Sequence, residues 1–189
     1  MLIMNTRVLQ IRTDALVAEY IYTKMLKKTG YMTIAITCLT ILVPILFSAA
    51  ILIAKGTEYE GVLNTVSIVL STVLLSLSIL ALILKLDQKR ESYLISRRSN
   101  IYVSNEALKL IEKEDTELSW FYNYLAEIDS QDQENIGEVS DNIRKEAYRH
   151  SLKKLIPGRS DTICSVCSAS PFKFIPGSCQ VCGNTPKEN

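Results

Sequence analysis

Histidine is almost missing: His150 is the only one in 189 residues. A Ser-His-Asp constellation therefore has one imidazole to build on. That imidazole sits in "YRHSLKK", where a surface or partly packed ring is expected. Glycine is sparse, with seven in the chain, and no Gly-rich phosphate-cradling loop occurs. A charge excess is missing too. The net charge is +1, which excludes a broad basic field for nucleic acid. The aromatic stretch "FYNYL", next to Trp120, lacks interleaved basic residues and reads as core, not as a base-stacking surface. No catalytic residues are expected, and no enzyme.

Charge is absent altogether from two runs. Tyr31–Ala54 and Gly61–Leu84 are each 24 residues long and hold no Asp, Glu, Lys, Arg or His. At ~1.5 Å per residue each makes roughly 36 Å of helix, against a hydrocarbon core of about 30 Å. Only "KGTEYE" separates them, so two antiparallel membrane-spanning helices are expected. The competing reading is a buried helix pair in a soluble protein, but too little other apolar chain exists to surround both. A signal peptide is a poor fit, because the first run starts only at Tyr31 and is too long. Lys24, Lys27 and Lys28 precede the first span, and Lys85, Lys89, Arg90, Arg97 and Arg98 follow the second. The link offers Lys55 against Glu58 and Glu60. The positive-inside bias then puts both termini in the cytosol. Without an ionisable group in either span, a proton relay or a charged ion filter has no basis.

Each span does carry a polar stripe. Thr33, Thr37, Thr40, Pro44 and Ser48 share one face of the first. Asn64, Ser67, Ser71 and Ser78 share one face of the second. Close helix packing in lipid is one reading. The other is that an oligomer turns a stripe toward a water-filled lumen, with Asn64, Ser67, Ser71 and Ser78 as candidate pore-lining residues. Pro44 is expected to kink the first span or loosen one turn. Cys38, alone in that span, reads as a small buried thiol.

Helices are also expected outside the spans. Thr6 to Lys28 contains no helix breaker. Lys85 to about Asp129 contains neither Pro nor Gly, and Ile101, Leu108, Ile111 and Leu118 form a candidate oligomer seam along it. "DSQDQE" is expected to break the pattern, and Gln133 to Ile156 to form a last helix ending at "PGRSD". The acidic run Glu112–Glu117 reads as a solvated face. The expected organisation is an N-terminal cytosolic helix (1–30), a transmembrane hairpin (31–84), a cytosolic helical region (85–157) and a small tail (158–189). The fold class is an all-α membrane protein with a zinc-ribbon-like end.

That tail holds four of the five cysteines. Cys164, Cys167, Cys179 and Cys182 form two C-x-x-C pairs separated by eleven residues, unlike the dispersed cysteines of a secreted disulfide framework. Two such pairs supply the four sulfurs of a tetrahedral Zn²⁺ site. Gly183 follows the last cysteine, where a knuckle needs a positive φ. Pro176-Gly177 turns the chain before Cys179, and "FKFI" suits a short strand. Backbone N–H groups, with Lys173, would offset the thiolate charge. All four positions are cysteine, so the Zn²⁺ would be structural. Rubredoxin-like iron and redox thiols are the alternatives. The redox reading lacks a βαβ scaffold, and haem attachment lacks the following His.

The charged N-terminal helix, tight two-span hairpin and helical extension resemble the SLATT family of two-transmembrane bacterial effectors. The CSVC…CQVC spacing resembles a group of mobile-element proteins. The resemblance implies a role in antiviral or inter-element conflict. Such effectors oligomerise in the bacterial inner membrane and open a pore when a sensor or second-messenger-producing partner triggers them. The alternative is a non-pore membrane adaptor whose zinc-binding tail recruits a partner protein.

Overall fold

The computed structural model describes residues 5–113 and 117–187. Five helices make up the fold: α1 (Thr6–Ala54), α2 (Glu60–Ile83), α3 (Leu86–Leu110), α4 (Ser119–Asn135) and α5 (Asp141–Lys154). Among the described residues there is no strand, only an isolated bridge between Pro176 and Asn184. The chain divides into two units, Leu26–Glu91 and the remainder.

Leu26–Glu91 is the hairpin. α1 is one helix of 49 residues, so the N-terminal helix and the first span are a single element. Gly30 does not interrupt it, and the helix also runs through Pro44, whose missing N–H leaves the Thr40 carbonyl without its helical donor. A link of five residues, 55–59, turns the chain back. Gly56 supplies the positive φ of 80°, and its N–H donates to Glu60 Oε2 at 2.8 Å. In the span of α1, Thr33, Ile36, Thr40, Val43, Phe47 and Ala50 are half-buried, with Ile51 beside the last. This 3-4-3-4-3 spacing is the seam of two helices packed at a shallow angle. The answering face of α2 is Leu63, Ser67, Leu70, Leu74, Ser78 and Ala81. The remaining faces are exposed and mainly apolar: none of the apolar window of α1, and 6% of that of α2, is buried. Both helices are long and apolar enough to cross a membrane.

The other unit is a helical bundle organised around the first turns of α1. One side of α1 (Val8, Ile11, Ala15) packs with Val103 and Ala107 of α3, with Leu118, and with Phe121 and Ile128 of α4. Another side (Ile21, with Val17 and Tyr20) packs with Val139 and Ala147. Arg12 lies between them, only 4% exposed. Its Nε donates to the Leu155 carbonyl at 2.7 Å and its Nη2 to that of Lys154 at 3.2 Å. Nη1 donates to the carbonyl of Ser104. One guanidinium thus caps the end of α5 and ties it to α3. Asp132 of α4 accepts from Tyr22 Oη and from Asn100 Nδ2, both at 2.7 Å. Burial and the Asp132 charge push the Tyr22 hydroxyl pKa above its usual value.

Two expectations about helix extent are corrected. The stretch from Lys85 to Asp129 is not continuous. Lys85 adopts φ 51° and separates α2 from α3. A second break follows Leu110, where the Asn5 N–H donates to the Ile111 carbonyl at 2.8 Å and Leu118 turns into the core, fully buried. "DSQDQE" is not a break either. It continues α4 to Asn135, and the chain leaves the helix at Ile136, which is extended (ψ 101°) ahead of Gly137. Within the acidic run, Lys113 and Glu117 pair at 3.2 Å on the surface, while Glu114–Thr116 lie outside the described residues.

Candidate metal centre

Two similar turns build the centre. In each, the residue after the second cysteine donates its N–H to the carbonyl of the first: Ser168 to Cys164 at 2.9 Å, and Gly183 to Cys179 at 2.9 Å. Both donors have positive φ, 54° for Ser168 and 72° for Gly183. The glycine was legible from sequence; the serine in the same conformation was not. Gly177 is required for a different reason. A Cβ there would lie 2.3 Å from the Thr185 backbone, because the chain returns against it through Gly177 N–H to Gly183 O at 2.9 Å and Thr185 N–H to Ile175 O at 2.8 Å. Phe172–Ile175 forms no strand.

Asn184 joins the two turns and escaped the sequence reading. It is 1% exposed. Its Oδ1 accepts from the Ile175 N–H at 2.8 Å, and its Nδ2 donates to the Ser170 carbonyl at 3.2 Å. Arg149 escaped it too. From α5 it donates to the Cys182 carbonyl and stacks its guanidinium 3.9 Å from the Phe174 ring centroid. The cation beside the cysteines is therefore Arg149, whereas Lys173 is exposed. The signal for it was the i, i+4 pair Lys145 and Arg149 on one face of α5.

All four sulfurs are buried and lie within 4.8 Å of one another, with Cys167 and Cys182 at 3.4 Å. A tetrahedron with metal–sulfur bonds of ~2.3 Å has edges of ~3.8 Å, so the set fits one four-coordinate ion. Its electrostatics suit a cation. Burial pushes the Cys182 and Cys167 thiols up; the other three sulfurs add to this at Cys182, whereas at Cys167 the Cys182 sulfur works against it. Burial pushes on Cys179 as well. There the N–H groups of Cys182 and Val181, with the Cys182 and Cys167 thiols, more than offset it and bring the thiol down to about 6. Cys179 ionises more readily than Cys167 and Cys182, and a cation held by the set would favour the thiolate form.

A family profile described as "Mobilome CxxCx(11)CxxC protein" matches residues 5–185. The chain belongs to that family. The match takes in α1 to α5 as well as the cysteines, so in this mobilome CxxCx(11)CxxC protein the helical bundle and the hairpin are part of the family's extent. No curated protein and no solved structure matches this family member.

The other residues singled out from sequence lie elsewhere in the mobilome protein. Asn64 and Ser71 are exposed on α2, whereas Ser67 and Ser78 are half-buried on the face that meets α1. Of the seam, Leu118 is fully buried and Ile111 packs against the same core cluster; Ile101 and Leu108 are half-buried. His150 stacks on Tyr20 with ring centroids 4.6 Å apart. Burial, then Lys154, lowers its pKa. Cys38 is exposed on the hairpin.

Proposed function

We propose that this protein is a non-catalytic membrane effector of conflict between mobile elements and their hosts. Its hairpin spans a bacterial inner membrane with both termini in the cytosol. Copies self-associate when a sensor or second-messenger-producing partner triggers them, and the assembly breaches the permeability barrier. The two-span architecture resembles the SLATT effectors, and the mobilome family membership supports the mobile-element setting. The observation that carries the proposal is the exposure of Asn64 and Ser71 on α2, where the other exposed hydroxyls, Thr65, Thr72 and Ser76, bond to carbonyls of their own helix. In lipid an amide and a hydroxyl gain by meeting another helix or a water-filled axis. The four cysteines hold structural Zn²⁺ and fix the tail on the bundle.

The test is a membrane-potential dye in cells expressing the protein beside its genomic neighbours. Wild type is expected to depolarise the membrane. Asn64→Leu with Ser71→Leu is expected to insert normally and abolish the leak. A wild type that never depolarises cells would overturn the pore. A second reading, the adaptor, draws on Ile163, Val166, Phe172 and Ile175, apolar side chains exposed on the tail. It forecasts unchanged potential and loss of function on tail truncation alone.

A further inference from the structure

A cavity of about 430 Å³ opens at the end of the hairpin opposite the 55–59 link. Ile36, Leu82 and Leu86 form its apolar wall. Its polar lining includes Thr33, Lys85, Asp87 and Gln88. The volume lies in the range of small-molecule sites.

Three features set it apart from ordinary packing between helices. Thr40, Thr65, Thr72 and Ser76 return their hydroxyls to a carbonyl of their own helix at 2.9–3.0 Å. Thr33 does not: its Oγ1 is fully buried and has no hydrogen-bond partner. A buried hydroxyl in that state is a group awaiting one. Second, Lys85 has φ 51° although it is not glycine. That conformation starts α3 directly after α2, with Lys89 N–H to Lys85 O at 2.9 Å as its opening bond. The amides of Leu86, Asp87 and Gln88 are then first-turn donors that no helical carbonyl satisfies. Third, the lining carries one charge of each sign, Lys85 and Asp87. Neither occurs in an ion pair among the described residues.

We infer that this cavity binds the headgroup of a zwitterionic phospholipid bearing a primary ammonium, a phosphatidylethanolamine. The phosphate meets Lys85 and the first-turn amides of α3. The ammonium meets Asp87. Rotation about χ1 brings the Thr33 hydroxyl out of the helix packing to the ester region, and the acyl chains follow the apolar wall. Lys85 stands one residue beyond the second uncharged run and Thr33 two residues inside the first, at headgroup depth for a hairpin that spans. An anionic lipid would satisfy Lys85 and leave Asp87 opposed to its phosphate. A choline headgroup offers Asp87 no N–H. The inference rests on the membrane-spanning reading proposed above.

The experiment is native mass spectrometry of the full chain, released from nanodiscs of phosphatidylcholine doped equally with phosphatidylethanolamine and phosphatidylglycerol. One phosphatidylethanolamine per chain should be retained at least about tenfold over either competitor, a difference of ~1.4 kcal/mol. Thr33→Val and Lys85→Gln should each lower that retention. Asp87→Asn, the mildest change, should erase the preference over phosphatidylglycerol. Equal retention of all three lipids, or an ethanolamine preference that survives Asp87→Asn, would overturn the assignment. Displacement of the lipid by soluble phosphoethanolamine at similar concentration would assign the cavity to a soluble zwitterion instead. Carbonate extraction of membranes separates the two failures: a protein that washes off was never spanning, whereas one that stays but shows no preference lacks only this site.

Discussion

Ser168 and Gly183 occupy the same place in the two cysteine turns, and only one of them is free of a Cβ. A left-handed conformation costs an L residue about 1–2 kcal/mol, so Ser168→Gly should leave metal affinity unchanged or raise it. Gly183→Ala should lower it, since the new Cβ would also sit 3.1 Å from Arg149 Nη1. Gly177→Ala should be the worst of the three, because its Cβ meets the Thr185 backbone, which cannot swing aside as a side chain can. A chelator titration of the purified protein gives the ranking, and a Gly177→Ala protein that holds metal like wild type would contradict the turn geometry. The same residues show what sequence could and could not reveal. The cysteine spacing and Gly183 are local signals with fixed chemistry. Asn184 and Arg149 act through contacts that the fold brings together; nothing near Asn184 marks it, and Arg149 is marked only by Lys145 one turn earlier.

At the scale of elements, hydrophobic periodicity located the helical segments but not their ends. The heptad run after Lys85 continues in register through residues where the chain leaves the helix without Gly or Pro. Tertiary contacts decide there: the Asn5 backbone takes over the Ile111 carbonyl, and Leu118 is drawn into the core. Conversely, the polar "DSQDQE" holds no breaker and stays helical, with Asp132 anchoring Tyr22 and Asn100. Arg12→Met should expose how far α1 holds this unit together. It leaves the carbonyls of Ser104, Lys154 and Leu155 without their donor, at a cost of at least about 2 kcal/mol. Fluorescence of the sole tryptophan, Trp120 in α4, follows the melt. An unchanged melting temperature would show those bonds to be dispensable. The α1–α4 contact also sets a pH dependence. Burial raises the Asp14 and Asp129 carboxyl pKa values; Asp129 adds to the first and Asp132 to the second. Folded carboxyls that hold protons more tightly than unfolded ones lose stability as pH rises through that window. Asp129→Asn should therefore raise the melting temperature at neutral pH, and the gain should vanish near pH ~3, where the unfolded carboxyl is largely protonated too.

At the scale of the whole molecule, the metal centre and the helical bundle share one core. Leu152, Leu155 and the four cysteines form a single buried cluster, with Leu9 of α1 and Tyr148 of α5 packed against it. Lys145 reaches Gln180 at 3.3 Å, and Arg149 holds the Cys182 carbonyl. A stretch this short has little apolar surface of its own, so an ion held by the four cysteines would be what keeps it folded. Losing the ion should therefore propagate. Without the knuckle, Leu152 and Leu155 lose their cover, and the end of α5 that Arg12 caps is left to fray. None of these contacts comes from the hairpin, whose helices satisfy nearly all of their backbone internally and present mainly apolar faces. Purified protein is expected to contain about one zinc per chain. Cys179→Ser should release it while the protein still resists carbonate extraction from membranes. In hydrogen exchange, the same variant should lose protection across the tail and through α5, with Thr33–Ala50 and Leu63–Ala81 unchanged. If loss of protection stops at residue 163 and α5 exchanges as in wild type, the tail is an independent appendage and the shared core contributes nothing. If protection in the spans falls as well, the hairpin draws stability from the metal-bound bundle, and α1 and α3, the two helices that run from one unit into the other, become the routes by which the tail influences the membrane segment.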